Sequence, residues 1–228
     1  MPEIADLFSY ADSPLDIEAS VAESHRSVWS QLMRSGTWWT ATEQLAIAAR
    51  ARAGFEARAR PPWSRDLPQE VEGLPTAALV VIDALVANPS SIDASWAAER
   101  IADVGDGHYV ELVSVVATVV MVDMFAACAG SQLAPLPIAS SDPGVPSSIY
   151  PDGLGDIGAY VRLLDPFPYA NVARALSLVP SANLLFRTTS VPMYSAPGMS
   201  DLIWTTPLTR PQVELVASRV AAMNECFY

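Results

Sequence analysis

The chain of 228 residues contains no lysine, so all 13 of its basic side chains are arginines. Without a side-chain amine the protein cannot carry out lysine Schiff-base chemistry. Its 25 acidic residues give a formal net charge of −12. Basic side chains that neutralise phosphates supply most of the affinity of proteins for nucleic acids, so an acidic chain without basic clusters is not expected to bind them.

Cysteine and histidine are also scarce. The two cysteines, Cys128 and Cys226, are almost a hundred residues apart, which is no disulfide framework and fits a reducing cytoplasm. The two histidines, His25 and His108, show no spacing typical of metal ligands. The sequence therefore predicts a cytoplasmic protein with no metal site and no cofactor.

Long hydrophobic runs are missing. The longest charge-free stretch of the most apolar segment, Leu112 to Val122, spans eleven residues and is bounded by Glu111 and Asp123. A membrane-spanning helix needs about 20 residues. The N-terminus has neither the basic region nor the apolar core of a signal peptide. We therefore expect no membrane partner and a buried core helix at this stretch.

What the chain does contain is a helical pattern. Hydrophobic residues make up 51% of it, enough for one large domain or two small ones. Apolar residues recur at helical spacing on both sides of a segment rich in Pro, Ser and Gly. We therefore predict an all-α protein of antiparallel helices. The predicted helices lie near residues 17–35, 40–58, 75–87, 91–103, 108–130, 170–179, 181–189 and from 209 onwards.

Two of these helices begin with a similar motif, Thr40-Ala-Thr-Glu43 and Thr209-Arg-Pro-Gln212. Each is typical of a capping box, in which side chains of the first turn satisfy free backbone amides. Both helices are rich in alanine and amphipathic, and aligning them sets Glu43 beside Glu214. The similarity indicates an internal duplication in which the first copy has the acid but no thiol.

Three segments resemble the alkylhydroperoxidase D-like and carboxymuconolactone decarboxylase-like superfamily: Thr209–Tyr228, Tyr109–Phe125 and Asn171–Pro180. In that superfamily a helical Glu is followed by Cys-x-x-Cys and then by a His. Glu214 lies twelve residues before Cys226, and the pair matches the family Glu and first Cys. The second Cys and the His would fall past Tyr228.

The resemblance implies an antiparallel helical bundle of the alkylhydroperoxidase-like type and a division of the chain into three parts. Residues 15–135 would form a first domain that lacks the cysteines of the motif. Residues 136–168 would be a connector rich in Pro, Ser and Gly. Residues 169–228 would be the front half of a second domain, ending inside its Cys motif.

The resemblance also implies a peroxidase-related, thiol-dependent antioxidant function. Cys226 would be the peroxidatic thiol, oxidised by a small hydroperoxide to a sulfenic acid. Glu214 would relay the proton, since a thiol with a pKa of about 8.5 needs a neighbouring base or cation to supply thiolate. A thiol reductant and further copies of the chain, in a homo-oligomer, are the implied partners.

Two other functions stay open at this point. The same superfamily includes decarboxylases that remove CO₂ from a small lactone acid without redox cysteines. The chain could also be a non-catalytic scaffold or pseudo-enzyme that assembles an oligomer. Structural explanations exist for both site residues, because an acid in a first helical turn complements the helix dipole and a lone Cys is often a small buried hydrophobe.

Several other residues are predicted to be structural. Cys128 is expected in the core, and His108 at the start of a helix. The Trp38-Trp39 pair and Trp29 are expected to pack in the core or at a subunit interface. Glu111 and Asp123 lie on the most apolar helix, and buried carboxylates need partners. The candidate partners are Arg50, Arg52 and Arg100.

Overall fold

The computed structural model describes residues 4, 7–61, 64–168, 171–194 and 207–223. Within these ranges the chain forms eight α-helices and one two-stranded sheet, which confirms the all-α class. The helices are α1 Ala19–Leu32, α2 Ala41–Ala57, α3 Thr76–Ala87, α4 Ala94–Val104, α5 Asp106–Cys128, α6 Asn171–Arg174, α7 Pro180–Tyr194 and α8 Arg210–Met223. The strands are β1 Leu154–Gly155 and β2 Leu163–Leu164.

Helix α5 is the centre of the bundle. It packs against α1, α2, α3, α4 and α7, and side chains such as Leu112, Val115 and Val119 are inaccessible to solvent. In the described part of the chain it is the one helix long and apolar enough to cross a membrane, with 23 residues and a mean hydropathy of 2.0. Because the bundle surrounds it, α5 is the buried core helix that the sequence predicts.

The predicted capping box of α2 is formed. The hydroxyl of Thr40 accepts from the backbone N–H of Glu43 at 3.3 Å, and the Glu43 carboxylate accepts from the backbone N–H of Thr40 at 2.8 Å. At α8 the backbone N–H of Thr209 donates to Gln212 Oε1 at 2.8 Å. Side chains of the first turn thus satisfy free amides at both helix starts.

The Pro-rich segment has little regular structure, as predicted, but it is tied to the turn between α1 and α2. Ser35 N–H donates to the carbonyl of Pro143 at 2.8 Å, and Ser148 N–H donates to that of Thr37 at 2.8 Å. The short sheet lies in the same segment, with Leu154 opposite Leu164. The segment therefore lies along the bundle and closes one side of it.

Helix α7 shares the core of the preceding helices. It packs against α5 and α1, and Leu178, Val179 and Ala182 belong to the same hydrophobic cluster as α1, α2, α3 and α5. Ser114 of α5 also donates to the carbonyl of Ala182 at 2.7 Å. Residues up to α7 thus form one core across the predicted connector. The division into two copies stays a prediction.

The predicted helix at residues 170–179 is wrong in extent. Only Asn171–Arg174 is helical, and Leu176 has a φ of +67°. A leucine in this left-handed region ends a right-handed helix. Pro180 then begins α7, at a position where a missing N–H costs nothing.

Candidate functional site

Glu214 is the predicted site residue that the structure describes. Its Oε2 accepts from the hydroxyl of Tyr194 at 3.2 Å, and its Oε1 lies 3.5 Å from Arg210 Nε. The side chain is 43% exposed, so solutes can reach the carboxylate. Burial, followed by the charge of Glu214, raises the pKa of Tyr194, which keeps this phenol a hydrogen-bond donor.

Glu214 lies in the second turn of α8, because the helix begins at Arg210. The helix dipole acts within about one turn of the end. The dipole explanation of this acid is therefore weaker than the sequence suggested. Cys226, the second predicted site residue, lies outside the described residues.

The counterpart of Glu214 in the predicted duplication is Glu43. Its carboxylate is engaged in the capping box with Thr40. Glu43 is the third residue of α2, whereas Glu214 is the fifth residue of α8. Aligning the helix starts therefore does not align the two acids. The duplication stays a prediction, and the structure gives Glu43 a capping role.

The two acids of α5 have different partners. Asp123 forms a bidentate pair with Arg52, at 2.8 and 2.6 Å, as expected of one of the candidate arginines. Burial is the main cause that raises the pKa of Asp123, and Arg52 acts against it. Arg52 also donates to the carbonyl of Ala134 at 2.7 Å. This pair joins α2 to the core helix and to the segment after it.

The expected arginine partner of Glu111 is wrong. Its carboxylate accepts from three backbone amides, those of Thr37 at 2.8 Å, Trp38 at 3.0 Å and Trp39 at 3.2 Å. Burial raises the pKa of Glu111, and these three hydrogen bonds offset part of the rise. A Cβ on Gly36 would lie 1.8 Å from Glu111 Oε1, so glycine is needed there. A chain turn, instead of a side chain, holds this acid.

An aromatic cluster covers the N-terminal end of α5. The half-buried imidazole of His108 lies between the rings of Trp38 and Trp39, at centroid distances of 5.3 and 4.8 Å. Tyr150 packs on Trp38 at 4.7 Å and hydrogen-bonds Asp106. Burial lowers the pKa of His108, and the charges of Glu43 and Asp106 act against this. The cluster holds the Pro-rich segment on the bundle.

Cys128 is exposed, so the expectation that it lies in the core is wrong. It is the last residue of α5, where the helix leaves the bundle. The neighbouring residues Ala126 and Ala129 are buried, with only 2% and 4% of their surface exposed, so the Cys lies on the outer side of the helix. Nothing in the described contacts of Cys128 gives it a reactive environment.

His25, for which the sequence predicts no role, is fully buried. The hydroxyl of Tyr10 lies 2.5 Å from His25 Nδ1, and Met193 Sδ lies 3.4 Å from Nε2. The spacing of His25, Val28 and Leu32 on α1 follows the buried face of a helix. That spacing could have placed His25 in the core, but it could not have identified its partners.

The described surface has open grooves between its helices. One, of about 790 Å³, lies between the end of α2 and the residues after α5, near Phe55, Arg58 and Leu133. Another, of about 540 Å³, lies between α1 and α7, near Ser24 and Thr188. No group of three His, Cys, Asp or Glu side chains in the described ranges could hold a metal ion.

Comparisons with protein families, with curated proteins and with the solved structures find no match to this chain.

Proposed function

We propose that the chain is a peroxidase-related, thiol-dependent antioxidant protein with a helical bundle of the alkylhydroperoxidase-like type. Cys226 is its peroxidatic thiol and Glu214 its proton relay. The observation that carries the proposal is the setting of Glu214, an accessible carboxylate held by Tyr194 and Arg210 on α8. A small hydroperoxide, a thiol reductant and a cytoplasmic location belong to the same proposal.

The proposed chemistry uses the carboxylate first as a base and then as an acid. Glu214 accepts the thiol proton of Cys226, and the thiolate attacks one oxygen of the hydroperoxide. The O–O bond breaks, Cys226 becomes a sulfenic acid, and the alcohol leaves with the proton held by Glu214. A thiol reductant then forms a mixed disulfide with loss of water, and a second thiol releases Cys226.

This relay requires the chain to turn after α8. A straight α-helix rises about 1.5 Å per residue, so twelve further residues would separate Glu214 from Cys226 by roughly 18 Å. Proton transfer needs hydrogen-bond contact, directly or through one water. The proposal therefore requires a change of direction between Met223, the last residue of α8, and Cys226.

Disulfide trapping tests that requirement. Glu214→Cys is combined with the native Cys226 in a Cys128→Ser background, and a disulfide forms only if the two Cα atoms approach within about 7 Å. We expect an oxidised species with a shifted mobility on a non-reducing gel. Val216→Cys, on the opposite side of α8 from Glu214, is the matched control. Equal cross-linking of both variants, or none of Glu214→Cys, would contradict the relay.

Activity is tested by the consumption of a small alkyl hydroperoxide in the presence of dithiothreitol. We expect Cys226→Ser to abolish consumption and Glu214→Gln to lower it about 100-fold or more, since positioned acid–base groups contribute 10²–10⁴-fold. Cys128→Ser, which removes the exposed thiol at the end of α5, should leave it unchanged. Consumption that survives Cys226→Ser excludes the thiol mechanism.

A second candidate function is supported by α8 itself, on which none of the described residues is buried. Val216, Val220 and Met223 follow each other at spacings of four and three and are 50–70% exposed, with Leu215 at 71%. Such a stripe is typical of a helix that packs against another surface. The scaffold function, in which the chain assembles a homo-oligomer, would use this face.

The two candidates are separated by measuring mass and activity on the same variants. Sedimentation equilibrium of the wild type should give a multiple of the 24.4 kDa chain mass if the scaffold function holds. Val216→Ser with Val220→Ser should then shift the mass towards the monomer. An oligomer that persists in this double variant excludes the α8 face, whatever the hydroperoxide assay gives.

A further inference from the structure

Tyr10 and His25 form an isolated polar pair within the hydrophobic core. His25 is inaccessible to solvent, and Tyr10 is only 7% exposed. Phe8 and Phe125 meet the imidazole edge-on, at centroid distances of 5.5 and 5.2 Å. Phe8 also packs edge-on against Trp29 at 5.1 Å. The pair is thus enclosed by aromatic rings that exclude water.

The geometry determines which atoms carry protons. Burial lowers the pKa of His25 to about 4, so the imidazole is neutral. Burial and the charges of Asp123 and Asp12 raise the pKa of Tyr10, so its phenol is protonated. The Tyr10 hydroxyl therefore donates to His25 Nδ1 at 2.5 Å. The other ring nitrogen, Nε2, carries the proton and faces Met193 Sδ at 3.4 Å.

The segment around Tyr10 has an unusual backbone conformation. Phe8 and Tyr10 have φ values of +59° and +51°, a region that non-glycine residues rarely adopt. Arg26 donates to the carbonyls of Leu7 and Phe8, each at 3.4 Å, which fixes this segment on α1. Such conformations persist where the surroundings enforce them, often at functional sites.

We propose that Tyr10 and His25 are a one-electron redox site, in which Tyr10 is oxidised to a neutral tyrosyl radical while its phenolic proton passes to His25 Nδ1. The oxidant is an organic peroxyl radical at the protein surface. It takes one electron from Tyr10 and one proton from solvent and becomes a hydroperoxide. One electron and one proton therefore leave the phenol, and the imidazole becomes an imidazolium.

Two features of the core favour this step over the oxidation of an ordinary tyrosine. An oxidised phenol is a strong acid, and here the base that takes its proton is already hydrogen-bonded to it. The surrounding aromatic rings keep the radical from reacting with solutes.

Tyr109 provides a matched comparison within the same chain. It is also 7% exposed, and burial likewise raises the pKa of its phenol. Among the described contacts no imidazole accepts a hydrogen bond from its hydroxyl. Oxidation of Tyr109 would therefore have to place the proton elsewhere, at a higher cost. Burial is the same in the two tyrosines, and the base is the difference.

The test uses the full chain with Cys128→Ser and Cys226→Ser, so that no thiol competes and the result does not depend on the proposed peroxidase function. Peroxyl radicals are generated from a water-soluble azo initiator, and the samples are freeze-quenched for electron paramagnetic resonance. We expect a tyrosyl radical signal that falls at least tenfold in Tyr10→Phe and is retained in Tyr109→Phe. A signal unchanged in Tyr10→Phe, or absent from the parent protein, overturns the proposal.

A second variant tests whether His25 acts as the proton acceptor in a protein that still folds. His25→Gln offers Tyr10 a hydrogen-bond acceptor that cannot be protonated, so the radical yield should fall about tenfold while the circular dichroism spectrum stays that of a helical bundle. If His25→Gln fails to fold, the comparison of Tyr10→Phe with Tyr109→Phe still decides. A folded His25→Gln protein with the parent yield shows that the imidazole is not the proton acceptor.

Discussion

Buried ionisable side chains of this protein are satisfied in three different ways. Glu111 accepts from three backbone amides, Asp123 from the guanidinium of Arg52, and neutral His25 from the phenol of Tyr10. Each arrangement removes the cost of an unpaired polar group in a dry interior. The consequences of substitution differ, because each partner set requires a specific charge and proton arrangement.

Glu111→Gln should destabilise the protein. Its amide nitrogen would replace one carboxylate oxygen and face either the backbone N–H of Trp39 or those of Thr37 and Trp38, so at least one donor loses its acceptor. A buried unsatisfied group costs about 1–3 kcal/mol. Urea unfolding followed by circular dichroism measures this, with the exposed Glu56→Gln as control. A Glu111→Gln protein as stable as the control would contradict the assigned role of the carboxylate.

His25 should make the protein sensitive to acid. Its pKa in the folded state is about 4, below the ordinary 6.5, so the unfolded state binds the extra proton. The stability that neutral His25 contributes is therefore fully present above about pH 6.5. As the pH falls towards 4, about 3 kcal/mol of it is lost. The free energy of unfolding, measured between pH 7 and 4, should show this slope. The slope should be smaller in His25→Gln, and an identical slope in both proteins would assign it to other groups.

At the level of elements, α5 is held by contacts that differ along its length. At its N-terminal end Gly107 lets the ring of Trp38 approach, since a Cβ there would lie 2.2 Å from the indole. In its C-terminal half the Arg52–Asp123 pair joins it to α2. Between these two ends, Ser114 donates a hydrogen bond to the carbonyl of Ala182 in α7. The apolar pattern makes α5 a helix, and these contacts fix its position.

Asp123→Asn tests the link between α2 and α5. The substitution leaves the Arg52 guanidinium, with a side chain only 13% exposed, without a counter-charge. Breaking a buried pair by removing one partner costs about 3–5 kcal/mol. Asp103→Asn is the control, because the exposed Arg100–Asp103 pair should contribute less than about 1 kcal/mol. Equal unfolding midpoints of the two variants would contradict this account.

At the level of the whole molecule, α7 and α8 contribute very differently. Ala182 and Leu185 of α7 are buried in the common core, whereas none of the described residues of α8 is buried. Stability follows the apolar area removed from water. The core should therefore fold without α8 but not without α7.

Truncation checks this division. A chain ending at Tyr194 should keep the thermal unfolding midpoint of the full chain within a few degrees, since none of the described residues that it loses is buried. A chain ending at Val179 should not unfold cooperatively, because α5 and α1 lose the surface that covers them. Loss of cooperative unfolding in the chain ending at Tyr194 would show that α8 belongs to the core.

Much of the secondary structure could be predicted from local signals. The helix starting at Ala41 follows from the Thr40–Glu43 motif, and α5 from an apolar stretch that ends near Cys128. The helix near residues 170–179 was overestimated because the left-handed Leu176 depends on the packing around it. Of the site, the sequence predicts Glu214 and Cys226, and the structure adds Tyr194 and Arg210 beside Glu214.

The sequence by itself determined the helical class, because helical periodicity and capping act within a few residues. It also determined that the acids of α5 must have partners. Only the tertiary structure decided which partners they have, with backbone amides at Glu111 and Arg52 at Asp123. The hydrogen bond between Tyr10 and His25 likewise forms only because the folded chain brings these two residues together. Such contacts depend on the packing of whole helices, which no local pattern specifies.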